Sequence, residues 1–470
     1  MTEDHAPGLE RAFVAPVEQR CEPRIEGVIP VFLHGTYYLN GPARFERGGL
    51  RYRHWLDGDG MVCALRFGEG GARFTSRYVR GTRLAEEEAA GRALYRSFGT
   101  AFPGDRLVRG VALESPLNVS IYPWEGRLLA FGEQGLPWEL DPETLETRGP
   151  FNFGGAVNPV SPFAAHPKID PATGELFNFG INFTSAQPSL NLYRFFADGR
   201  LAYRRRLPLA MPASLHDFCL SGRYVIFHLG PYLLDMARLG AGETLMDALR
   251  WQPERGSELL IVRREDGEPV ASVPVGNRYV LHGINAFDED EEDRLTVDVV
   301  ELDRPVYDQY LLPGLFADVG PGRPVRFVID VPNAKLLETR EIAYDRAPDF
   351  PAIDPALAGH PYDDFWMLGI SRTGRPGRKF FDQVAHLSWS HPDRPEVWQA
   401  PPGWYLGGEP AFAPNPEGGG AVICQRFDAA TGESAFLVFD AFRVAAGPVA
   451  VVPLDSPVHL GFHAVFAPEG

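Results

Sequence analysis

The hydrophobic positions of this chain fall in short runs that are typical of β-strands. RLLAF (residues 127–131), LTVDVVEL (295–302) and AFLVFD (435–440) are each rich in branched and aromatic side chains. Asp198-Gly199 and Asp266-Gly267 separate neighbouring runs, and Asp-Gly pairs favour tight hairpin turns. The pattern therefore predicts an all-β fold built from many short strands.

One stretch, residues 232–251, has a different period. Leu233, Met236 and Leu239 are spaced as on a helix, and a second set follows a Gly-Ala-Gly break. We interpret it as an amphipathic insertion packed over the sheet; the alternative is an apolar lip that makes transient contact with a membrane surface. No linker interrupts the chain, so we expect one domain over residues 1–470, with residues 1–30 as an N-terminal extension.

Composition narrows the class of protein. The 50 glycines and 43 prolines mark frequent turns, while 44% hydrophobic residues are too many for a disordered chain. A net charge of −17 argues against a nucleic-acid partner. The four cysteines lack C-x-x-C spacing, and neither a signal peptide nor an apolar run of membrane-spanning length is apparent. We expect a cytoplasmic, soluble protein with reduced thiols.

The twelve histidines contain no closely spaced ligand pair, so a metal site would have to collect ligands that are distant in sequence. Four of them stand in distinctive surroundings. His166 lies in AAHPKIDPATGELF, His216 in SLHDFCLSGRYVIF, His282 in LHGINAFDED and His463 in HLGFHAVFAPEG.

In this order, the four segments resemble the iron-ligand segments of the carotenoid cleavage oxygenase family. The resemblance extends from about residue 30 to the end, and it includes NGPARFERGG (residues 40–49), GEQGLPW (132–138) and GGEPAFAPNP (407–416). It implies a seven-bladed β-propeller with loops and short helical insertions capping the active-site face. Intervals of 50, 66 and 181 residues between successive histidines suit inner strands of different blades.

The resemblance also implies a function. We expect a non-haem dioxygenase with one Fe(II) per chain, bound by His166, His216, His282 and His463, that cleaves a C=C bond of a carotenoid or apocarotenoid with O₂ to aldehyde or ketone products. The partners would be O₂ and a small hydrophobic alkene, without flavin, NAD(P) or haem. We expect a monomer or a weak dimer.

Carboxylates behind such ligands accept hydrogen bonds from the histidine rings and fix their tautomers. The family has three glutamates in this role, and the resemblance assigns two of them to Glu133 and Glu409. The third position is Asp349, whose side chain is one methylene shorter, so we expect this hydrogen bond to be lost, lengthened or bridged by water. The alternative for Asp349 is a turn residue before Phe350-Pro351.

Several apolar residues beside the motifs are candidates for a substrate tunnel, although each is also a candidate for ordinary core. Val119 stands where many relatives have threonine and is a candidate to shape the oxygen pocket. The tunnel candidates are Trp138, Phe151, Phe153, Phe163, Leu281 and Phe287.

Three other functions stay open. The first is cleavage of stilbenoid or other phenolic alkenes at the same iron site. Members with this activity tend to carry lysine directly before the glutamate at position 133, where this chain has Gly132, so we favour carotenoids. The second is a binding propeller without catalysis, which retention of four histidines disfavours. The third is an isomerase-like activity, which labelled oxygen in the products would exclude.

Overall fold

Seven β-sheets around one axis form the body of the protein. The computed structural model describes residues 8–69, 71–109, 112–183, 187–289, 293–312, 314–371 and 380–469. Each sheet has four or five antiparallel strands. The predicted all-β, seven-bladed propeller is confirmed.

We number the blades 1 to 7 and give the strands of each from rim to axis. They are, in blade 1, Gln19–Cys21, Gly71–Tyr78, Asp59–Gly68, Gly35–Arg44 and Ala464–Pro468; in blade 2, Thr147–Pro150, Trp138–Leu140, Arg127–Phe131 and Ser120–Trp124; in blade 3, Leu201–Pro208, Ser189–Phe195, Leu176–Asn182 and Lys168–Ile169; in blade 4, Pro269–Gly276, Ser257–Arg263, Tyr224–Leu229 and Cys219–Leu220; in blade 5, Lys335–Glu341, Gly322–Asp330, Arg294–Leu302 and Tyr279–Asp288; in blade 6, Glu396–Gln399, Gln383–Ser388, Asp364–Gly369 and Asp349–Ala352; in blade 7, Glu26–Gly27, Ala450–Pro453, Glu433–Asp440, Gly420–Asp428 and Trp404–Pro414.

Two small hairpins and a few helical segments lie outside the blades. The hairpins pair Glu46–Arg47 with Leu50–Arg51, and Tyr232–Leu234 with Leu249–Trp251. The α-helices are α1 (Thr82–Ala90), α2 (Met236–Gly240) and α3 (Leu245–Ala248). Short 3₁₀ segments span Leu9–Phe13, Trp55–Asp57, Phe153–Gly155, Pro253–Arg255, Tyr307–Gln309, Pro355–Leu357 and Val444–Ala446.

One edge strand of every sheet faces a shared channel, and these seven strands define the axis. The strands that line the channel are Ser120–Trp124, Lys168–Ile169, Cys219–Leu220, Tyr279–Asp288, Asp349–Ala352, Trp404–Pro414 and Ala464–Pro468. Because inner strands of all blades meet there, side chains that are hundreds of residues apart in sequence become neighbours. This convergence is what positions the site described below.

Blade 1 closes the ring with a strand from each end of the chain. Ala464–Pro468 pairs antiparallel with Gly35–Arg44, so that Leu39 lies opposite Ala464. Upstream of blade 1, Gln19–Cys21 pairs with Gly71–Tyr78, and Glu26–Gly27 adds to blade 7. The N-terminal extension therefore lies along two blades from residue 8 onward, and its first seven residues lie outside the described part of the chain.

The insertion predicted at residues 232–251 is helical only in α2 and α3, whereas its two ends form the hairpin of Tyr232–Leu234 and Leu249–Trp251. Leu233, predicted at helical spacing, lies on a strand of this hairpin. The side chain of Asp235 accepts hydrogen bonds from the first turn of α2. Leu239 and Leu245 pack against the main core, whereas Met236 is 41% exposed. Among the described residues, no helix has the length and apolar character that crossing a membrane requires. Contact with a membrane surface stays a prediction.

We predict that the closing strand stabilises the whole ring. Phe466 is buried between blades 1 and 7, and Phe466→Ala should lower the free energy of unfolding by about 3–5 kcal/mol, since it leaves a cavity in a tight core. Denaturant unfolding followed by tryptophan fluorescence measures this. Glu469→Ala, an exposed position three residues on, is the control. A loss below about 1 kcal/mol for Phe466→Ala would contradict the role of this strand.

Candidate metal centre

The four histidines singled out from the sequence meet at the axis. His166, His216 and His463 each lie just before the inner strand of blade 3, 4 or 1, and His282 lies within the inner strand of blade 5. One ring nitrogen of each histidine lies within 4.8 Å of one ring nitrogen of every other, and all four residues are buried. Among the described residues, this is the group whose geometry suits a metal ion.

The ring geometry is that of donors that converge on one point. Nε2 of His166 lies 2.9 Å from Nε2 of His216. The ring centroids of His166 and His463 are 4.3 Å apart, and those of His282 and His463 are 4.9 Å apart. Nε2 of His282 is buried without a hydrogen-bond partner among the described residues. A buried imidazole nitrogen without a partner is costly, and a metal ion would satisfy it.

Carboxylates hold the outer nitrogen of three of the rings. Nδ1 of His216 lies 2.8 Å from Oε1 of Glu133, and Nδ1 of His463 lies 3.4 Å from Oε2 of Glu409. Glu409 accepts a hydrogen bond from Nδ1–H of His463, and the Glu133 carboxylate lies within ion-pair distance of Nδ1 of His216. A proton held on Nδ1 leaves Nε2 available to a metal ion. This is the tautomer that a metal ligand needs.

Asp349 contacts its histidine directly despite its shorter side chain. Oδ1 of Asp349 lies 2.5 Å from Nδ1 of His282 and also accepts a hydrogen bond from the Phe350 N–H at 2.9 Å. Phe350 has a φ of 53°, which is strained for a residue with a side chain. Its ring packs 5.1 Å from that of His463, so the strained residue supports two of the four histidines.

Burial and neighbouring charges shift the pKa values of three of the four histidines. Burial lowers the pKa of His166 well below its ordinary value, and the neighbouring histidines lower it further. Burial likewise lowers the pKa of His463, although Glu409 opposes it. Burial also acts to lower the pKa of His282, but the Asp349 carboxylate raises it above its ordinary value. His166 and His463 are therefore neutral at pH 7, as metal coordination requires.

Other buried histidines lie outside the group. Nε2 of His54 lies 2.9 Å from the carbonyl oxygen of Tyr307, in the 3₁₀ segment Tyr307–Gln309. His54 is therefore not one of the four histidines that converge at the axis. His228 and His459 are buried in blade 4 and beside the closing strand, and burial lowers the pKa of both.

A cross-blade ion pair beside the cluster was missed in the sequence. Nζ of Lys168 lies 2.7 Å from Oδ1 of Asp217, and Oδ2 of Asp217 accepts the Gly283 N–H at 2.9 Å. These residues follow His166, His216 and His282 by two, one and one positions, so the pair ties three ligand segments together. Gly283 has no room for a side chain, because a Cβ would lie 2.3 Å from Sγ of Cys219. Both partners of the pair stand in the quoted segments, Lys168 two residues after His166 and Asp217 directly after His216.

A largely apolar cavity lies next to the cluster on the side of Glu133. Its wall includes Phe163, Leu215, Leu249 and Tyr307. It shares Leu113, Gln134, Leu234 and Leu245 with an outer chamber that reaches Met236 and Leu239 on α2. The insertion at residues 232–251 thus forms part of the wall of this outer chamber. These residues come from separate loops, strands and short helices, and no sequence motif groups them.

The other residues predicted for the tunnel pack elsewhere. Trp138 lies on the third strand from the axis of blade 2, and the ring of Phe287 packs near Tyr362 and the Arg326 guanidinium. Leu281 is buried in the main hydrophobic core and is absent from the lining of the cavity. Nearness to a motif in sequence did not place these side chains on the cavity wall.

Val119 and Phe153 are buried core residues, and Phe151 is half-buried against the same core. Val119 is buried and its carbonyl oxygen accepts a 3.3 Å hydrogen bond from the His463 N–H, so its backbone supports a ligand segment. Phe151 and Phe153 pack against each other with ring centroids 4.7 Å apart.

Comparison with known proteins identifies the family. A family model described as retinal pigment epithelial membrane protein matches residues 14–468. The chain belongs to the carotenoid cleavage oxygenase family. The family assignment made from the four histidine segments is confirmed.

Curated members of the family are similar over nearly the whole chain. Apocarotenoid-15,15′-oxygenase of Synechocystis is 31% identical over 469 residues, covering 94% of this chain and 92% of that protein. Isoeugenol monooxygenase of Pseudomonas putida is 30% identical over 457 residues, covering 93% of both. Among solved structures, cobalt-substituted apocarotenoid oxygenase of Synechocystis matches with a TM-score of 0.88 at 27% identity, covering 98% of both chains.

We predict that the Lys168–Asp217 pair stabilises the carotenoid oxygenase fold at the axis. Asp217→Asn should lower the free energy of unfolding by about 2–3 kcal/mol, somewhat less than a fully buried pair, because Lys168 is 28% exposed. The exposed pair of Arg200 and Asp198 provides the control, since Asp198→Asn should cost less than about 1 kcal/mol. Denaturant unfolding measures both, and equal losses would show that the axial pair carries no special weight.

Proposed function

We propose that this protein is a non-haem Fe(II) dioxygenase that cleaves one C=C bond of a carotenoid or apocarotenoid with O₂ to give two carbonyl products. The observation that carries the proposal is the buried group of four histidine nitrogens within 4.8 Å, backed by carboxylates, in a member of this family. The similarity to apocarotenoid-15,15′-oxygenase supports the substrate class.

The donor set fits a ferrous ion. Four neutral imidazoles add no negative charge, so they favour a dication over a trication, in contrast to a two-histidine-one-carboxylate triad. His166, His216, His282 and His463 would hold the ion. Bound ferrous iron supplies the redox chemistry by which O₂ becomes reactive towards an alkene.

The protein's own residues orient the histidine ligands, exclude water and bind the alkene. Glu133, Asp349 and Glu409 keep Nδ1 of their histidines protonated and so fix the direction of each Nε2. Burial of the cluster excludes bulk water from the reaction. The apolar wall beside Glu133 holds the alkene next to the centre, so the position of the substrate in this cavity selects the bond that is cut.

The reaction needs no further redox partner. Cleavage of the alkene breaks one C=C bond and the O–O bond and forms two C=O bonds, and the alkene supplies all four electrons that O₂ accepts. We therefore propose that the protein works without flavin, NAD(P) or haem. A cytoplasmic monomer or weak dimer, with O₂ and a small hydrophobic alkene as its partners and no nucleic acid, remains our proposal.

Cleavage of a phenolic alkene is the second candidate, because isoeugenol monooxygenase and a lignostilbene dioxygenase of Sphingomonas paucimobilis are also relatives. Gly132 occupies the position directly before Glu133, so this chain has no lysine there to bind a phenolate. A Cβ at this position would lie 2.1 Å from Oγ of Ser115, so the local packing leaves no space for a longer side chain.

We expect the purified protein to hold about one iron per chain, and His282→Ala to lose iron and cleavage activity together. Metal analysis by mass spectrometry and oxygen-consumption assays give the two readouts. His391→Ala, at an exposed position on blade 6, should retain both. Full iron content and full activity in His282→Ala would show that the ligand assignment is wrong.

We expect an apocarotenal to be cleaved to two carbonyl fragments that each carry ¹⁸O when the reaction is run under ¹⁸O₂. Product analysis by mass spectrometry on an apocarotenal and on 4-hydroxystilbene separates the two substrate classes. Turnover of the stilbene alone would overturn the preference for carotenoids, and unlabelled products would indicate isomerisation or hydration instead.

A further inference from the structure

We propose that the cavity beside the metal centre contains a subsite for a neutral hydroxyl group of the substrate, formed by Ser97 and Glu114. This inference rests on the proposed function, because it describes how the alkene would be held. It also narrows the substrate class to alkenes that carry a hydroxyl group at the end remote from the scissile bond.

Ser97 provides the first observation. It lines the same cavity as Glu133 and Phe163, and only 4% of its surface is exposed. Its backbone N–H donates to the Thr100 carbonyl at 2.9 Å, but its Oγ is buried without a hydrogen-bond partner among the described residues. Buried hydroxyl groups nearly always have a partner, and here the adjacent cavity is where a ligand atom would supply it.

Glu114 provides the second observation. Its half-buried side chain lies on the wall of the same cavity. Burial raises its pKa to about 7, Glu86 adds to the rise and Arg83 opposes it. At neutral pH a large share of this carboxyl is therefore protonated, and a protonated carboxyl donates one hydrogen bond and accepts others.

The nearby charges disfavour an anionic ligand. Arg83 also lines the cavity, but its guanidinium donates to the Asp57 carbonyl at 2.8 Å and lies 3.5 Å from the Glu87 carboxylate. Its positive charge is thus already balanced within the protein. A ligand carboxylate or phenolate would face Glu114 without a free cation, so a neutral hydroxyl group is the better fit.

The rest of the wall defines the body of the ligand. Beside polar residues such as Asn118 and Gln134, this wall carries the apolar side chains of Leu56, Phe98, Phe179 and Leu249. The outer chamber connects this space to the exposed Met236 on α2. A ligand that enters past α2 would lay a hydrophobic chain along this wall and place its hydroxyl group against Ser97 and Glu114.

The test uses two pairs of alkenes that differ by one hydroxyl group. These are 3-hydroxy-β-apo-8′-carotenal with β-apo-8′-carotenal, and 4-hydroxystilbene with stilbene. For the class that is cleaved, we expect kcat/KM of the iron-loaded enzyme to be about tenfold higher for the hydroxylated member. The difference should lie in KM, because the hydroxyl group binds away from the reacting atoms.

Variants locate the effect. Ser97→Ala combined with Glu114→Leu should bring the ratio of kcat/KM between the two members close to one, whereas Glu114→Gln should keep most of the preference. Ser390→Ala, at an exposed position, is the control. Circular dichroism and thermal melting confirm that each variant folds. An equal kcat/KM for both members, or a ratio that the double variant keeps, would overturn the subsite while the proposed function stands.

Binding separates the subsite from the reaction. If neither pair is cleaved, the proposed function fails, and quenching of tryptophan fluorescence by the same four alkenes still measures affinity. Tighter binding of the hydroxylated member that the double variant loses would support the subsite. Equal affinities in the wild-type protein would overturn it.

Discussion

The removal of four imidazole rings from water at a single point is the constraint on which the structure depends. Each ring carries a polar nitrogen that must be satisfied in an interior where bulk water is absent. In three of the rings a carboxylate lies against Nδ1, and Nε2 remains available to a cation. Nε2 of His282 has no hydrogen-bond partner among the described residues, and an ion at the axis would supply one.

This arrangement requires that separate blades keep their relative positions. The contact between Asp349 and His282 joins blades 6 and 5, and the Lys168–Asp217–Gly283 contacts join blades 3, 4 and 5. Polar groups at the axis therefore do two tasks: they orient ligands and they fix the angle between neighbouring sheets. A hydrophobic axis would also hold the sheets together, but it would give no direction to a ring nitrogen.

The fold and the metal group were accessible from sequence because both rest on local motifs. Short alternating runs and Asp-Gly turns indicate strands, and the segments around the four histidines are distinctive even in isolation. The direct contact of Asp349 was not accessible, since it depends on the strained backbone at Phe350. Ser97 and Glu114 were missed for a related reason: they lie in loops, and only the folded ring brings them to the cavity of Glu133. Trp138 and Phe287 were predicted to line the tunnel because they stand beside motifs in the sequence. In the fold they pack within the blades, away from the cavity.

The closing strand has a consequence for biosynthesis. His463 is adjacent to Ala464–Pro468, the strand that pairs with Gly35–Arg44 and completes blade 1. During translation, three of the four histidines emerge from the ribosome long before the fourth, and the nascent chain has an open ring until residues 464–468 appear. The complete four-histidine group can therefore form only after the last strand has closed the ring.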